Sequence, residues 1–332
     1  MKIKEYIRLN IWSDFVKNHP NGNIFQTPEM YDVYLRTENY EPVLLTVVKN
    51  DEVVGVLLSV IQKEYSGVLG KITARSIIIG GPLIKDNNAD TLKFLLNAYT
   101  QKIKYRVIFS QFRNLWDWGE LKAVFNATGF EYDSHLDILI DITLEEEELW
   151  SKINSKARNK IRKSMKSDIV FKTPEPTKEI VEKSYEIFHN IYKNAKIPLT
   201  DISLFENSVK ILAKKNMIRF FCAFKDDQMI GVRIGLLYKE VVYDWYAGSL
   251  HEFYKFNPND FLPYNILVWG HNNGFKTFDF GGAGKPNVPY GVRDHKMKFG
   301  GELVEYGRYE KVHKPKLMSM AKVGLELYKM IR

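Results

Sequence analysis

Residues 281–301 read GGAGKPNVPYGVRDHKMKFGG and follow directly on the run KTFDF. Glycines placed just after a strand let backbone N–H groups come close to a phosphate or a carbonyl oxygen. Lys296 stands among them as a compact ammonium, with Arg293, Tyr290 and Lys298 as neighbours. Ammonium and guanidinium groups both suit an anion, the first as a point charge and the second as a planar fork. The segment is not a Walker loop, because Lys285 is followed by Pro286 and the first glycine of that motif is missing. A second run, VVYDWYAG (241–248), carries Tyr243, Asp244 and Tyr246. In an alternating strand the two tyrosines fall on opposite faces, and Asp244 shares the face of Tyr246, placed to accept a proton or hold an ammonium. Asn259 and Asp260 precede a helical pattern and read first as caps. The seven histidines are scattered, with no partner pattern for a nucleophile, no H-E-x-x-H and no cluster at metal-ligand spacing, so no metal is expected.

A third run is basic. Residues 151–172 hold Lys152, Lys156, Arg158, Lys160, Arg162, Lys163, Lys166 and Lys172 against Asp168 alone, which accounts for most of a net charge of +8. Ile153, Ala157, Ile161 and Ser164 form a narrow apolar stripe at helical spacing, so the helix can pack while Lys156, Arg158, Lys160, Arg162 and Lys163 face outward. Such a surface calls for an anionic partner: the phosphates of a tRNA, coenzyme A or a nucleotide sugar, or lipid head groups. DNA is not expected.

The elements that must position these residues alternate between helical and extended patterns. At 332 residues the chain exceeds the size at which one core stops growing, so two domains are expected. The first residues lack the apolar core of a signal peptide, and no run approaches the roughly 18 apolar residues of a spanning helix. The only cysteine, Cys222, lies amid aromatics in RFFCAF and reads as a core residue. A cytoplasmic location follows as the expectation. Thr27-Pro28-Glu29 starts a helix. Leu92, Leu95, Leu96, Tyr99 and Ile103 mark another, leading to a strand at YRVIF (105–109). Helices around Phe188, around Val209 and around Ile266 follow in the second half. The segments VVKNDEVVGVLL (47–58) and AFKDDQMIGVRI (223–234) align without a gap at an offset of 176 residues, each reading strand, polar turn, strand. The flanking elements recur in the same order, which predicts a duplicated α/β domain. The acidic run EEEE, followed by the basic helix, places the boundary between 142 and 143. The domains are then 1–142 and 143–313, with a tail helix over 314–332. Its stripe of Leu317, Ala321, Gly324, Tyr328 and Ile331 folds back on the first domain; grazing an anionic membrane is the alternative.

In order and spacing, NIFQTPEMYDVY, KINSKARNKIRKSMKSDIVF and the stretch from YDWYAGSLHEFYKFNPNDFLPYNILVWGHNNGFKTFDFGG to HKMKFGGELVEY resemble the Fem family of peptidoglycan-bridge aminoacyltransferases. The resemblance extends over most of the chain and is most specific in its second half. It implies two GNAT (acetyltransferase-like) domains in tandem. It implies that Lys296, in the position of the family's F-K-x-x-F-G lysine with His295 in place of the aromatic, binds a substrate phosphate or the transition-state oxyanion. It also implies tyrosines of the acceptor pocket at Tyr246 or Tyr243, and anion binding by the K-x-R-x-x-I-R pattern of the basic helix. In the first half Gly80-Gly81-Pro82 stands where the family has Arg-Gly-Pro. Tyr34 stands eight residues after Gln26, where the family has a lysine, with Arg36 two residues on as its substitute. The implied activity is aminoacyl transfer from aminoacyl-tRNA to an amine on a nucleotide- or lipid-linked cell-wall precursor, without a tightly bound cofactor. The alternatives are an N-acyltransferase using acyl-CoA on an amino sugar or peptide, and a non-catalytic RNA- or glycan-binding protein.

Overall fold

The computed structural model describes residues 1–63 and 73–320. The chain divides into two compact units, one of residues 1–134 together with the segment from 306 onward, the other of residues 135–305. In the first unit β1 (Lys2–Lys4), α1 (Leu9–Asn18) and α2 (Pro28–Arg36) precede a long hairpin, β2 (Tyr40–Lys49) and β3 (Glu52–Gln62). Thr27 caps α2 by accepting from the N–H of Met30 at 3.2 Å, with Pro28 at the first helical position. Next come β4 (Arg75–Ile79), β5 (Leu83–Ile84), α3 (Ala89–Ile103), β6 (Phe109–Arg113), α4 (Lys122–Ala127) and β7 (Glu131–Asp133). The apolar stripe of α3 is buried against Val43, Leu45 and Leu57 of the hairpin, with Phe112, Phe125 and Phe130 in the same core. The strand expected at 105–109 lies four residues later. Residues 104–106 still turn off α3, and pairing begins only where Phe109 comes opposite Val312 and Ser110 opposite Ser76.

The second unit begins with β8 (Leu136–Asp141), α5 (Glu146–Lys152), the basic helix α6 (Ser155–Met165), β9 (Val170–Lys172), α7 (Lys178–Asn194) and α8 (Ser203–Leu212). It continues with β10 (Ile218–Lys225), β11 (Gln228–Tyr238), β12 (Val241–Ser249), α9 (Pro258–Asn272), β13 (Thr277–Gly282), α10 (Gly291–Lys296) and β14 (Glu302–Glu305). The final strand, β15 (Arg308–Val312), belongs to the first unit.

The two sheets share one plan. The first runs β1-β2-β3-β4-β6-β15-β7 and the second β9-β10-β11-β12-β13-β8-β14. In each, only the fourth and fifth strands, β4 with β6 and β12 with β13, are parallel; every other neighbour on these paths is antiparallel. The repeated hairpins agree residue by residue. Both turns use two residues of positive φ, Asn50 and Asp51 in one and Asp226 and Asp227 in the other, a conformation that Asn and Asp tolerate and that matches the strand twist. Both have a bulge at the same place: Val47 faces Gly55 and Val48 faces Val53, while Ala223 faces Gly231 and Phe224 faces Met229. Matching irregularities are stronger evidence of duplication than matching regularity, because a bulge is a local choice.

The boundary differs from the expected one. It falls at 134/135 rather than 142/143, because β8 pairs with β13 and β14 in the second sheet. The sixth strand of the second sheet, β8, opens its unit just before α5, whereas the sixth strand of the first, β15, comes from outside residues 1–134 and returns after β14 to pair with β6 and β7. An acidic run marks a change of composition, but strand pairing sets the boundary. Residues 315–320 are helical, as expected for the start of the tail helix; Ala321, Gly324, Tyr328 and Ile331 lie outside the described residues.

Candidate functional site

In the second unit the parallel strands β12 and β13 pair only from Val241 with Thr277 to Tyr243 with Asp279, and then part. Two irregularities follow at that point. On β12 the register slips between Asp244, opposite Gly235, and Tyr246, opposite Ile234, leaving Trp245 as the extra residue. On the other side, β13 slips against β8 between Asp279 and Gly282. Backbone groups freed by a broken ladder need partners. Lys296 supplies them: its Nζ donates to the carbonyl oxygens of Phe280 at 2.6 Å, Gly281 at 3.2 Å and Gly282 at 3.1 Å. The ammonium also lies 5.7 Å from the centre of the Phe280 ring. Burial lowers the Lys296 pKa, opposed first by the charge of Asp244.

Asp244 is committed as well. Its carboxylate holds the guanidinium of Arg233, and both side chains are buried. Burial raises the Asp244 pKa against the pull of Arg233 and Lys296. Asp279 and Asp137, 6% and 7% exposed, make a carboxyl pair beside this cluster. Asp279 accepts from the N–H of Gly281, and Asp137 from its neighbour Ile138, each at 2.7 Å. Burial, and then the charge of Asp137, raises the Asp279 pKa well above its ordinary value. Three acids and two cations therefore meet where the parallel strands separate, the point at which open α/β sheets take their ligands.

The bulge at Trp245 overturns the predicted arrangement of β12. One extra residue shifts the alternation, so Tyr243 and Tyr246 share a face and Asp244 lies on the other. Tyr246 packs among Phe188 and Phe205, with ring centres 5.6 and 4.7 Å away, and belongs to the aromatic layer under α7 and α8 rather than beside Lys296. Tyr243 stays near the parting strands: a Cβ on Gly281 would lie 3.5 Å from its hydroxyl. Arg293 does not point an open guanidinium at a ligand; it donates to the carbonyls of Ala283, Lys285 and Val288 and ties the glycine loop down. Tyr290 lies against Gly284, and Lys298 is half-buried, its carbonyl accepting from the N–H of Asn154 at 2.8 Å.

On α6, Ala157, Ile161 and Ser164 are buried as the stripe predicted. Arg158 donates to the carbonyls of Trp150 and Ser151, and the Arg162 guanidinium lies 5.1 Å from the Trp150 ring centre. Lys160 reaches Asp260 at 3.4 Å, while Lys156 and Lys163 are exposed. Asp260, whose side chain is 4% exposed, sits in the first turn of α9. Its other oxygen is 3.5 Å from Nε2 of His295. Burial acts to raise the Asp260 pKa, but His295 and Lys160 outweigh it and the net shift is downward.

In the first unit Gln26 is a structural residue. Its amide donates to the carbonyls of Leu58 and Ile79 and accepts from the N–H of Leu58, stitching β3 to β4. Gly81 leaves room for it: a Cβ there would lie 2.6 Å from the amide. Arg36 is exposed in the last turn of α2, and Tyr34 is buried, its hydroxyl pKa pushed up by burial.

Arg233, Asp137 and Asp279 were not singled out from the sequence, and Lys160, Asp260 and His295 were read there as an outward-facing cation, a cap and a replacement for an aromatic rather than as one group. An aspartate inside the apolar run FDF and an arginine inside MIGVRIGLLY were the available signals, since a charge in a buried strand needs a partner. Among the described residues no group of three or more His, Cys, Asp or Glu could hold a metal ion, and no helix is long and apolar enough to cross a membrane.

Residues 151–297 match the family described as Acetyltransferase (GNAT) domain, a span wholly within the second unit. No curated protein matches the sequence. Among solved structures, FemX matches with a TM-score of 0.74 at 16% identity, over 96% of this chain and 99% of that one. The C-terminal domain of a putative lysylphosphatidylglycerol synthetase from Agrobacterium fabrum matches at 0.61 and 12% identity, over 96% of each chain. A tandem GNAT protein from the clavulanic acid biosynthesis pathway matches at 0.61 and 11%, over 92% of this chain and 94% of that one. By its matched domain and its duplicated fold, the chain is an acyltransferase of tandem GNAT architecture.

Proposed function

We propose that the chain transfers an aminoacyl group from aminoacyl-tRNA to an amine on a nucleotide- or lipid-linked cell-wall precursor. The amine nitrogen attacks the ester carbonyl, the new amide N–C bond forms, the C–O bond to the ribose breaks, and the proton that the amine gives up leaves on the ribose oxygen. Lys296 is the group we assign to the oxyanion or to a substrate phosphate, yielding one of its carbonyl partners as the anion arrives. Asp244, held by Arg233, keeps that cation's surroundings close to neutral.

The observation that carries the choice of donor is Asp260. The start of a long helix after β12 is where an anion would be expected to bind, since its N–H groups and dipole favour negative charge. Here the entry reads KFNPNDFL rather than a glycine-rich pyrophosphate loop, and a buried carboxylate already occupies the first turn. A pyrophosphate approaching this helix would meet Asp260 at short range. The exposed Lys156 and Lys163 offer instead the dispersed positive surface that suits a polyanion.

The second reading, an acyl-CoA-dependent N-acyltransferase, draws on the matched acetyltransferase domain. Titrating the protein with tRNA and with acetyl-CoA across salt concentrations separates the two. The tRNA affinity should fall steeply with salt, and Lys156→Glu with Lys163→Glu should flatten the slope by roughly 0.9 for each duplex phosphate that is no longer neutralised. These positions are preferable to Arg158 and Arg162, which also hold carbonyls and an indole ring. In a transfer assay, Lys296→Met should cost at least roughly tenfold with an unchanged circular dichroism spectrum. Tight acetyl-CoA binding without tRNA binding at low salt would overturn the choice of donor.

A further inference from the structure

Four large apolar side chains lie exposed within ten residues of one segment: Val288 at 51%, Tyr290 at 40%, Val292 at 46% and Met297 at 38%. Scattered exposed apolar residues are ordinary, whereas a contiguous group marks an interaction surface. This group is not exposed for want of order. The Arg293 guanidinium donates to Ala283 O at 3.4 Å, Lys285 O at 2.7 Å and Val288 O at 2.6 Å, drawing the loop onto α10. The Tyr290 ring packs on Gly284, whose φ is +77° and whose missing Cβ would lie 2.9 Å from that ring. Pro286 and Pro289 restrict the backbone on both sides of Val288. The chain thus holds an apolar tip rigidly in solvent. Around the tip, residues 283–298 carry Lys285, Arg293, Lys296 and Lys298 against Asp294 alone.

We infer that the loop and the first turns of α10 form a docking surface for an anionic lipid bilayer. Val288, Val292 and Met297 enter the boundary between head groups and acyl chains. Tyr290 lies at head-group level, where an aromatic ring with a polar tip is favoured, and Lys285 and Lys298 face lipid phosphates, while Lys296 and Arg293 stay with the backbone carbonyls they hold. A protein partner fits less well, because a stable interface takes about 20–30 residues a side and this patch is one loop. Its charge pattern, cations around an apolar tip, is that of a surface that lies on a membrane rather than in one. The inference goes beyond the choice of acyl donor and holds for either.

Co-sedimentation of the full chain with vesicles of mixed phosphatidylglycerol and phosphatidylcholine, compared with phosphatidylcholine alone, tests it. Binding to the anionic vesicles is expected, weakened by salt, with a roughly tenfold loss of partitioning for Val288→Asp. Val288 lies in the loop outside α10, so the variant should keep the wild-type melting temperature and tRNA affinity. A second measurement needs no loss of binding: the emission of Val288→Trp should shift to the blue on adding anionic vesicles and be quenched by brominated acyl chains. Vesicle binding that Val288→Asp leaves unchanged would overturn the proposal, as would an emission unaltered by vesicles. A concentration-dependent dimer abolished by Val288→Asp, with no vesicle binding, would assign the patch to a second copy of the chain instead.

Discussion

Asp279 shows what the position of one residue costs. Its carboxyl is buried between the parting strands with Asp137 beside it, and two like charges at close range cannot both ionise cheaply in a poor solvent. The folded protein therefore holds the proton more tightly than the unfolded chain does. Stability from this group is complete below the ordinary value of 3.8 and falls as pH rises toward the folded value. Asp279→Asn removes the ionisation while leaving an oxygen for Gly281 and an N–H for Asp137. The melting temperature of the variant, measured relative to wild type, should rise as pH is raised above 3.8; a constant difference would show that Asp279 ionises freely. Much of this site was hidden in the sequence for a physical reason. Lys296, Arg293 and Tyr290 could be found because they follow one another in a recognisable order. Arg233, Asp244, Asp279 and Asp137 come from four strands, and only the fold brings their charges together. The sequence indicated which residues belong to the loop but not which carbonyls Lys296 and Arg293 would hold.

At the scale of elements, the repeated hairpin was legible and the β12 bulge was not. A hairpin is written in alternation and turn residues, both local. A bulge depends on how two strands settle against each other, and a single one at Trp245 moved Tyr246 from the site into the aromatic layer under α8. The repeat also permits a comparison of one substitution in two settings. Gly55 and Gly231 are equivalent, each opposite the bulge of its hairpin. A Cβ on Gly55 would meet only side-chain tips, the nearest being Ile84 and Val47 at 3.3 Å. A Cβ on Gly231 would meet the Ser249 hydroxyl at 2.9 Å, and that hydroxyl is bonded to Asn259 at 2.7 Å. Gly231→Ala should therefore destabilise by roughly 1–3 kcal/mol, while Gly55→Ala should cost less than about 1 kcal/mol, since alanine also reduces the entropy lost on folding. Urea midpoints at unchanged slope would measure both. Equal losses would mean that the surroundings of the two hairpins have not diverged.

For the molecule as a whole, the informative feature is the return of the last strand to the first unit. The first sheet is completed by a strand from beyond its own block of sequence, so residues 1–134 do not build their core alone, whereas the second unit is one unbroken run. Tyr309 makes this concrete. It lies on β15, after the entire second unit, yet it is 1% exposed in the core of the first, stacked on Phe125 at 4.2 Å between ring centres and set edge-on to Tyr132 at 5.4 Å. Sequence reading placed the last strand with the domain it follows, because composition and order are all that a sequence offers for that choice; pairing with β6 and β7 decided otherwise. Truncating a fully buried aromatic costs about 3–5 kcal/mol, and Tyr309→Ala should withdraw that amount from the first unit. Hydrogen exchange read by mass spectrometry locates the loss. Protection should fall in residues 109–113 and 122–133, more than a hundred and seventy positions earlier in the chain, while the second-unit hairpin at 218–238 keeps its protection. If protection instead fell first in 277–305, the segment just before β15, the last strand would belong energetically to the unit it follows in sequence, and the division at 305/306 would be wrong.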